Sequence, residues 1–277
     1  MKNGLKPLSL ALIGMGVAGK ARQKALADLP GFRLAALVSR RPEARTHTLE
    51  EMLSDSSIEA AVVSTENTDH AGTVRRCLSA GKHVLCDYPL AFSAAEAKKL
   101  FELAKKQGRT LHVEHIALLA EEHQVLKKQA AALGPLQRGE YLFQGGWNEK
   151  LENPSFTGPY PFLAISRLLQ VADLFGPFGV ESHRFEKSPQ GFSLHFHLKF
   201  ADGGTLGFTE ERVAGLPRRR SLVAELKKGN LHWKAQTFGG GLFGKDLEWF
   251  RDRVGGVKEC YYDETMMIRI IGYLEKV

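Results

Sequence analysis

The chain has 277 residues, 43% of them hydrophobic and 25% charged, a balance that excludes a disordered, collagen-like or heptad-repeat chain and leaves room for two packed domains. Lys and Arg number 38 against 31 Asp and Glu, a net charge of +7, but the basic residues are spread among acidic neighbours, so a small anionic ligand is expected and nucleic acid is not. No run approaches the ~18 apolar residues of a membrane span, the start Met1-Lys2-Asn3-Gly4-Leu5-Lys6-Pro7 lacks the apolar core of a signal peptide, and Cys77, Cys86 and Cys260 have the spacing of neither a disulfide framework nor a zinc ribbon; a cytoplasmic protein without a membrane partner is expected, its cysteines kept as thiols.

In chain order, Leu8-Ser9-Leu10-Ala11-Leu12-Ile13 reads as a buried strand, Gly14-Met15-Gly16-Val17-Ala18-Gly19 as a tight turn, and a helix follows to about residue 29. A second strand covers 32–38 and ends at Ser39-Arg40-Arg41; then come a short helix at 49–53, a strand at 60–64, a helix at 69–80 closed by Gly81 and a strand at 83–86. Ser93-Ala94-Ala95-Glu96 has the form of a capping box and opens a helix through 106, before a strand at 110–113. Helices alternating with short apolar strands predict a doubly wound parallel sheet. From about residue 121 the pattern changes to a helix through 132, a helix at 163–175, and alternating segments at 139–144, 192–200 and 205–210 that suit an antiparallel sheet with one wet face. The boundary is expected between 115 and 122.

The glycine-rich turn between a strand and a helix predicts dinucleotide binding. Gly14 allows the tight turn, Gly16 lets a pyrophosphate approach the backbone, and Gly19 lets helix and strand pack closely; Met15, Val17 and Ala18 complete the loop. An Asp or Glu after the second strand would select NAD, yet this chain has Ser39, Arg40 and Arg41, whose hydroxyl and guanidiniums suit a 2′-phosphate, so NADPH is the expected cofactor, with NADH possible. Ser64, Thr65 and Glu66, after the third strand, and Asp87 and Tyr88, after the fourth, join the cofactor-binding candidates.

Gly81-Lys82-His83-Val84-Leu85-Cys86-Asp87-Tyr88-Pro89-Leu90 resembles the oxidoreductase family of glucose–fructose oxidoreductase and inositol dehydrogenase, whose hallmark there is Glu-Lys-Pro. Tyr88 in place of the Lys, followed by Leu111-His112-Val113-Glu114-His115-Ile116-Ala117-Leu118-Leu119, resembles the biliverdin reductase branch, as do Ser166-Arg167-Leu168, the stretch from Glu210-Glu211-Arg212 to Leu216-Pro217-Arg218-Arg219-Arg220, and Gly241-Leu242-Phe243 with Asp246. There are departures: the stretch from Arg41 to Leu49 is short for a second Rossmann helix, Asp87 replaces the usual Glu, and Ala117 stands where relatives often have Glu. Phe162 and Ser166 occupy the positions of the Asp and His that handle sugars elsewhere in the family. The resemblance implies an α/β fold: an N-terminal Rossmann dinucleotide-binding domain, taken as 1–118, and a C-terminal α+β domain with a large, mainly antiparallel sheet, taken as 119–277, with the active site between them and a C-terminal helix that packs back on the first domain.

The reaction it implies is hydride delivery from the nicotinamide to the central methine carbon of a linear tetrapyrrole, biliverdin, with a proton going to a pyrrole nitrogen. Such a substrate asks for an apolar slot, a cationic clamp and a proton source. Arg167 is the first candidate, as propionate partner or proton relay, against the alternative of an interdomain salt bridge. Tyr88, with a phenol pKa near ~10, suits positioning better than proton donation. Asp87 and Glu114 lie at adjacent strand ends, where they are expected to orient the nicotinamide carboxamide or waters, and Arg167, Tyr88 and Glu114 are the expected catalytic set. Arg218 and Arg220 form either a propionate rim or a solvated basic turn. No metal is expected: strand alternation places His112 and Glu114 on one face and His115 on the other, and His195 and His197 have no third ligand. The alternatives are an NADP-dependent sugar or polyol dehydrogenase and an inactive dinucleotide sensor; a monomer and a homodimer both remain open.

Overall fold

The computed structural model describes residues 6–235 and 241–277, so residues 1–5 of the leader expectation lie outside the described chain. Strand β1 (Leu8–Ile13) is buried along its whole length because it pairs on both sides. Helix α1 (Val17–Ala27) returns to β2 (Phe32–Val38), and a one-turn segment with the short helix α2 (Leu49–Ser54) makes the crossover from β2 to the next strand. Next come β3 (Ala60–Val63), α3 (His70–Ser79), β4 (His83–Cys86), α4 (Ala94–Lys106) and β5 (Leu111–Val113), giving the order β2-β1-β3-β4-β5 with every pairing parallel. Strands covered on both faces are apolar where they are buried: β3 along its whole length, and β4 after the half-buried His83 at its start. The chain order reverses between β1 and β3, which is where open parallel sheets bind ligands.

One capping expectation is corrected. Ser93 precedes α4 without a side-chain cap, and the Glu96 carboxylate, the other half of the expected box, accepts from Arg75 at 2.7 Å. The complete capping box belongs to Thr48 and Glu51 at the start of α2, where hydroxyl and carboxylate reciprocally satisfy two backbone N–H groups.

After β5, helix α5 (Glu121–Leu133) leads to β6 (Leu136–Gly145), the one-turn helices α6 (Glu149–Glu152) and α7 (Pro154–Thr157), α8 (Ile165–Phe175), and strands β7 (Phe178–Ser188), β8 (Gly191–Phe200), β9 (Thr205–Val213), β10 (Arg219–Leu226) and β11 (Gly229–Lys234). They form a second sheet of order β11-β10-β6-β9-β8-β7, in which β6 and β9 are parallel and all other neighbours antiparallel. Alternation sorts the faces: Leu194, Phe196, Leu198 and Phe200 of β8 turn inward, while His195, His197 and Lys199 turn outward. Helix α8, buried from Ile165 through Ala172, packs with α5 and with the last helix.

The remaining helices are α9 (Leu242–Val254) and α10 (Glu264–Leu274). By contact the chain divides into two units, Met1–Ile116 with Gly241–Tyr261, and Ala117–Gly240 with Tyr262–Val277. The segment that rejoins the first unit is therefore α9, whose Leu247 and Phe250 enter the core of Leu10, Leu12, Leu26, Val62 and Leu85; the terminal helix, expected to do this, belongs to the second unit. No helix among the described residues is long and apolar enough to cross a membrane.

Candidate functional site

At the carboxyl end of the first sheet, the glycine turn is built by close approach. Gly14 has a φ of 95°, and a Cβ there would lie 2.4 Å from the Ser64 carbonyl oxygen; a Cβ on Gly19 would lie 1.9 Å from the Gly14 carbonyl oxygen. Gly16 differs, since a Cβ there meets nothing within 4 Å, and the N-terminus of α1 that it opens has neither a side-chain cap nor an acidic residue in its first turn. Open space above uncapped N–H groups is what a pyrophosphate requires. The Ser64 Oγ is buried without a hydrogen-bond partner among the described residues, a donor and acceptor left for a ligand. The crevice therefore fits a dinucleotide.

Its far lip carries Ser39, Arg40 and Arg41. The Ser39 hydroxyl accepts the Arg41 backbone N–H at 3.2 Å, and the Arg41 guanidinium donates to the Met15 carbonyl at 2.7 Å, holding lip and turn together. Arg40, largely exposed, pairs with Glu66 and lies 3.8 Å from Asp69. Two cofactor candidates from different strand ends, Arg40 and Glu66, are thus brought into contact. Thr65 is fixed through His70, whose ring nitrogens lie 2.8 Å from the Pro89 carbonyl oxygen and 3.3 Å from that of Thr65.

Asp87, Tyr88 and Glu114 end β4 and β5 at this same edge. Asp87 accepts from Arg22 Nε and Nη2 at 3.0 and 2.6 Å, while Arg22 Nη1 donates to Asp246 at 3.1 Å. Arg22 is wholly buried, its guanidinium 4.7 Å from the Phe243 ring centroid; burial alone would lower its pKa, but the charges of Asp87 and Asp246 outweigh that and raise it. Asp246 also accepts from His112 Nε2 at 2.9 Å and from the Tyr261 hydroxyl at 2.8 Å; burial pushes its pKa up, and His112, Arg22 and Tyr261 together hold it below the ordinary value. The other His112 nitrogen faces Arg253 at 3.1 Å and accepts, so His112 is a neutral bridge rather than a metal ligand. Tyr261 in turn accepts the backbone N–H of His115 at 2.9 Å, and the His115 ring stacks on Tyr88 with centroids 5.8 Å apart. Glu114 is buried and accepts the Ile116 N–H at 2.9 Å; burial first, then the Asp87 and Asp246 charges, push its pKa up to about 8.

The second unit gathers the cationic candidates. Arg167, on α8, donates through Nε and Nη2 to the two oxygens of Glu210 at 2.7 and 2.9 Å, and Arg212 donates to the same carboxylate at 2.7 Å. The salt bridge weighed as an interdomain contact is therefore internal to this unit. Burial would raise the Glu210 pKa, but the two guanidiniums hold it below the ordinary carboxylate value. The guanidiniums of Arg167, Arg212 and Arg218 lie 4.5, 4.8 and 5.6 Å from the Phe143 centroid, and that of Arg220 lies 5.4 Å from the Trp233 centroid. Arg218 is exposed and Arg220 buried, so the two rim candidates differ in access. His195 and His197 instead face Thr209 at 3.1 Å and Glu181 at 2.8 Å. Among the described residues no group of three His, Cys, Asp or Glu is placed to hold a metal.

The sequence reading missed Arg22 and Tyr261, assigned Asp246 no role, and quoted Glu210 and Arg212 only as matches. Arg22 did leave a signal: with Gly19 and Leu26 it falls at i, i+3 and i+7 on the buried face of α1, where a charge requires a buried partner. Glu210, Phe143 and Arg167 are joined only through sheet register and helix packing, which no local spacing reveals.

Comparison with known proteins agrees with this division of labour. Residues 8–115 match the model of the oxidoreductase family with an NAD-binding Rossmann fold, and residues 123–238 match that of the biliverdin reductase catalytic region. Human biliverdin reductase A is 31% identical over 98% of this chain and 95% of its own length, and the mouse protein is 34% identical over 82% and 78%. Among solved structures, biliverdin reductase of Synechocystis sp. PCC 6803, in complex with biliverdin and NADP+, superposes with a TM-score of 0.83 over 96% of both chains at 22% identity, a likeness of fold.

Proposed function

The chain belongs to the biliverdin reductase family, within the oxidoreductases that carry an NAD-binding Rossmann fold, and on that premise we propose that it reduces biliverdin to bilirubin with NADPH. The observations that carry this reading lie one in each unit: in the first, a dinucleotide crevice lipped by Arg40 and Arg41; in the second, an arginine-rich cluster in which Arg167 and Arg212 share the carboxylate of Glu210, with Arg218 over the same Phe143 ring and Arg220 over Trp233. Bound NADPH supplies a hydride for the central methine carbon. Gly14 to Gly19 give the backbone approach for its pyrophosphate, Arg40 and Arg41 its 2′-phosphate contacts, and Ser64, Thr65, Glu66, Asp87 and Tyr88 the wall that orients it. Arg167, locked by Glu210, presents a charge of fixed direction, and Arg218 and Arg220 offer pairing groups for propionates. Tyr88, backed by the His115 ring, positions a flat ligand through its face. Tyr88 and Ser166 stand in place of the base that polyol oxidation needs, whereas bilin reduction needs a proton donor and no such base. The buried thiols of Cys77 and Cys86 suit a reducing compartment, and we place the reaction in the cytoplasm.

Purified protein mixed with NADPH and biliverdin is expected to turn from green to yellow as the long-wavelength bilin absorbance is lost, while glucose and inositol with NADP+ give no reduced cofactor. Polyol oxidation with biliverdin inert would replace this reading by that of a sugar dehydrogenase. The same assay tests the cofactor lip: NADPH is expected to bind more tightly than NADH, and replacing Arg40 and Arg41 by Ala to remove most of that preference, at ~1.5–3 kcal/mol for each charged hydrogen bond lost. Equal binding of NADH by the unaltered protein at moderate salt would refute it.

A further inference from the structure

Three carboxylates, Asp87, Glu114 and Asp246, act on one buried guanidinium, that of Arg22, and they are not equally provided for. Asp87 takes two N–H groups of Arg22; Asp246 takes the third, with the His112 N–H and the Tyr261 O–H besides. Glu114 takes one neutral donor, the Ile116 N–H, and is only 5% exposed. A buried carboxylate with a single neutral donor beside two better-supported anions is the least stable of the three as an anion. The groups that act on it from each packed element are Cys86 and Asp87 at the end of β4, Arg22 on α1, Asp246 on α9 and Tyr261 beyond it. Burial keeps the Cys86 thiol and the Tyr261 phenol protonated, and Arg22 stays charged, so none of these competes to exchange a proton near neutral pH.

We propose that Glu114 is the proton store of the reductive site: it holds a carboxylic proton in the resting protein and releases it towards the substrate pyrrole nitrogen as hydride reaches the methine carbon. This deepens the bilin-reduction reading and rests on it. The step balances: a hydride with its electron pair leaves the reduced nicotinamide and forms the new C–H bond, the O–H bond of Glu114 breaks, its proton forms the N–H bond, and NADP+ and a Glu114 carboxylate remain. Asp87, whose side chain is 13% exposed, is the member of the group open to water, and water at that edge returns the proton to Glu114. Glu114 thus acts through water, as a positioning residue for the proton.

The test uses the full chain and Glu114→Gln, which keeps the shape of the neutral acid. Infrared difference spectra are expected to show a protonated carboxyl band at pH 7 that is missing in Glu114→Gln and titrates near pH 8. Stability gives a second reading independent of turnover. A carboxyl with a raised folded pKa contributes stability that is present below its ordinary value and is lost as pH rises through about 8, so the unaltered protein should lose stability over that interval while the Gln variant keeps it. In turnover, kcat of the unaltered protein should fall above pH 8, and Glu114→Gln should lose at least tenfold in kcat and lack that limb. An ionised Glu114 at pH 7, or the same alkaline limb in Glu114→Gln, would overturn the proposal alone. No bilin turnover by the unaltered protein, with the carboxyl band present, would overturn the reduction reading and the delivery step with it.

Discussion

In the first unit one guanidinium, Arg22, answers two carboxylates, Asp87 and Asp246; in the second, one carboxylate, Glu210, answers two guanidiniums, Arg167 and Arg212. The two arrangements use the same charge-assisted bonds at similar lengths, yet they leave opposite remainders. With Glu114 added, the first is short of positive charge, and such a site keeps a proton that a lone carboxyl would lose. In the second, Arg167, Arg212 and Arg218 gather over one phenyl ring while the first two share one carboxylate, and a cluster so rich in guanidiniums suits an anionic ligand. Burial does not separate them: each has one member open to water, Asp87 at 13% and Arg212 at 14% side-chain exposure, and the others are buried. The imbalance of each cluster, more than its count of ion pairs, matches the task proposed for its unit.

The largest effect should come from removing the guanidinium of the first unit. Arg22→Met keeps much of the stem that packs in α1 but leaves two buried carboxylates without their cation, and breaking such a pair costs ~3–5 kcal/mol. Urea denaturation at pH 7 should show this loss, with part of it recovered at lower pH as the stranded carboxylates take up protons. A loss below ~1 kcal/mol, the usual worth of an exposed pair, would mean that Asp87 and Asp246 are satisfied by water and that the contrast between the units is false.

The second unit should be less sensitive. Glu210→Gln retains one acceptor for two guanidiniums and turns an amide N–H towards one of them, so a loss of ~1.5–3 kcal/mol, that of a hydrogen bond to a charged group, is expected in the same measurement. The pH signature is opposite to that of Glu114. Because the Glu210 pKa is held below its ordinary value, its contribution is present above that value and is lost as pH falls through the lowered one, so the gap between the unaltered protein and Glu210→Gln should close only on the acid side. A gap that closed on the alkaline side would overturn the assignment of Glu210 as the anion between Arg167 and Arg212.

The same contrast explains what could be read from the sequence. The glycine turn and the Ser39-Arg40-Arg41 lip are set by local backbone and short spacing, so Gly14, Gly16, Gly19 and the lip were legible, as was the parallel sheet. Arg167 could be named, but Glu210 lies 43 residues away and meets it only through the packing of α8 on the second sheet. Arg22 and Asp246 are 224 residues apart, joined by the return of α9 to the first unit. Strand β7 escaped notice because it is an edge strand exposed along most of its length and lacks apolar alternation. The Ser93 capping box failed in a related way: the Glu96 carboxylate meets a distant partner, Arg75.

The finest test of the contrast is Arg167 itself, where catalysis should change more than stability. Arg167→Ala removes one of two cations on Glu210, and Arg212 remains to hold that carboxylate, so the fold should survive. Bilin turnover should nevertheless fall at least tenfold, ~1.4 kcal/mol in the barrier, with NADPH affinity unchanged, because the cofactor candidates all lie in the first unit. Arg167→Lys separates charge from direction: a lysine restores the positive charge but lacks the planar fork that meets both oxygens of Glu210 at 2.7 and 2.9 Å. If fixed direction matters, Lys should recover little of the lost kcat; if an excess of charge suffices, it should recover most of it, and the second cluster would then work as a field rather than as an aimed group. Normal kinetics in Arg167→Ala would reduce the residue to scaffold and leave Arg218 and Arg220 as the cations of that face.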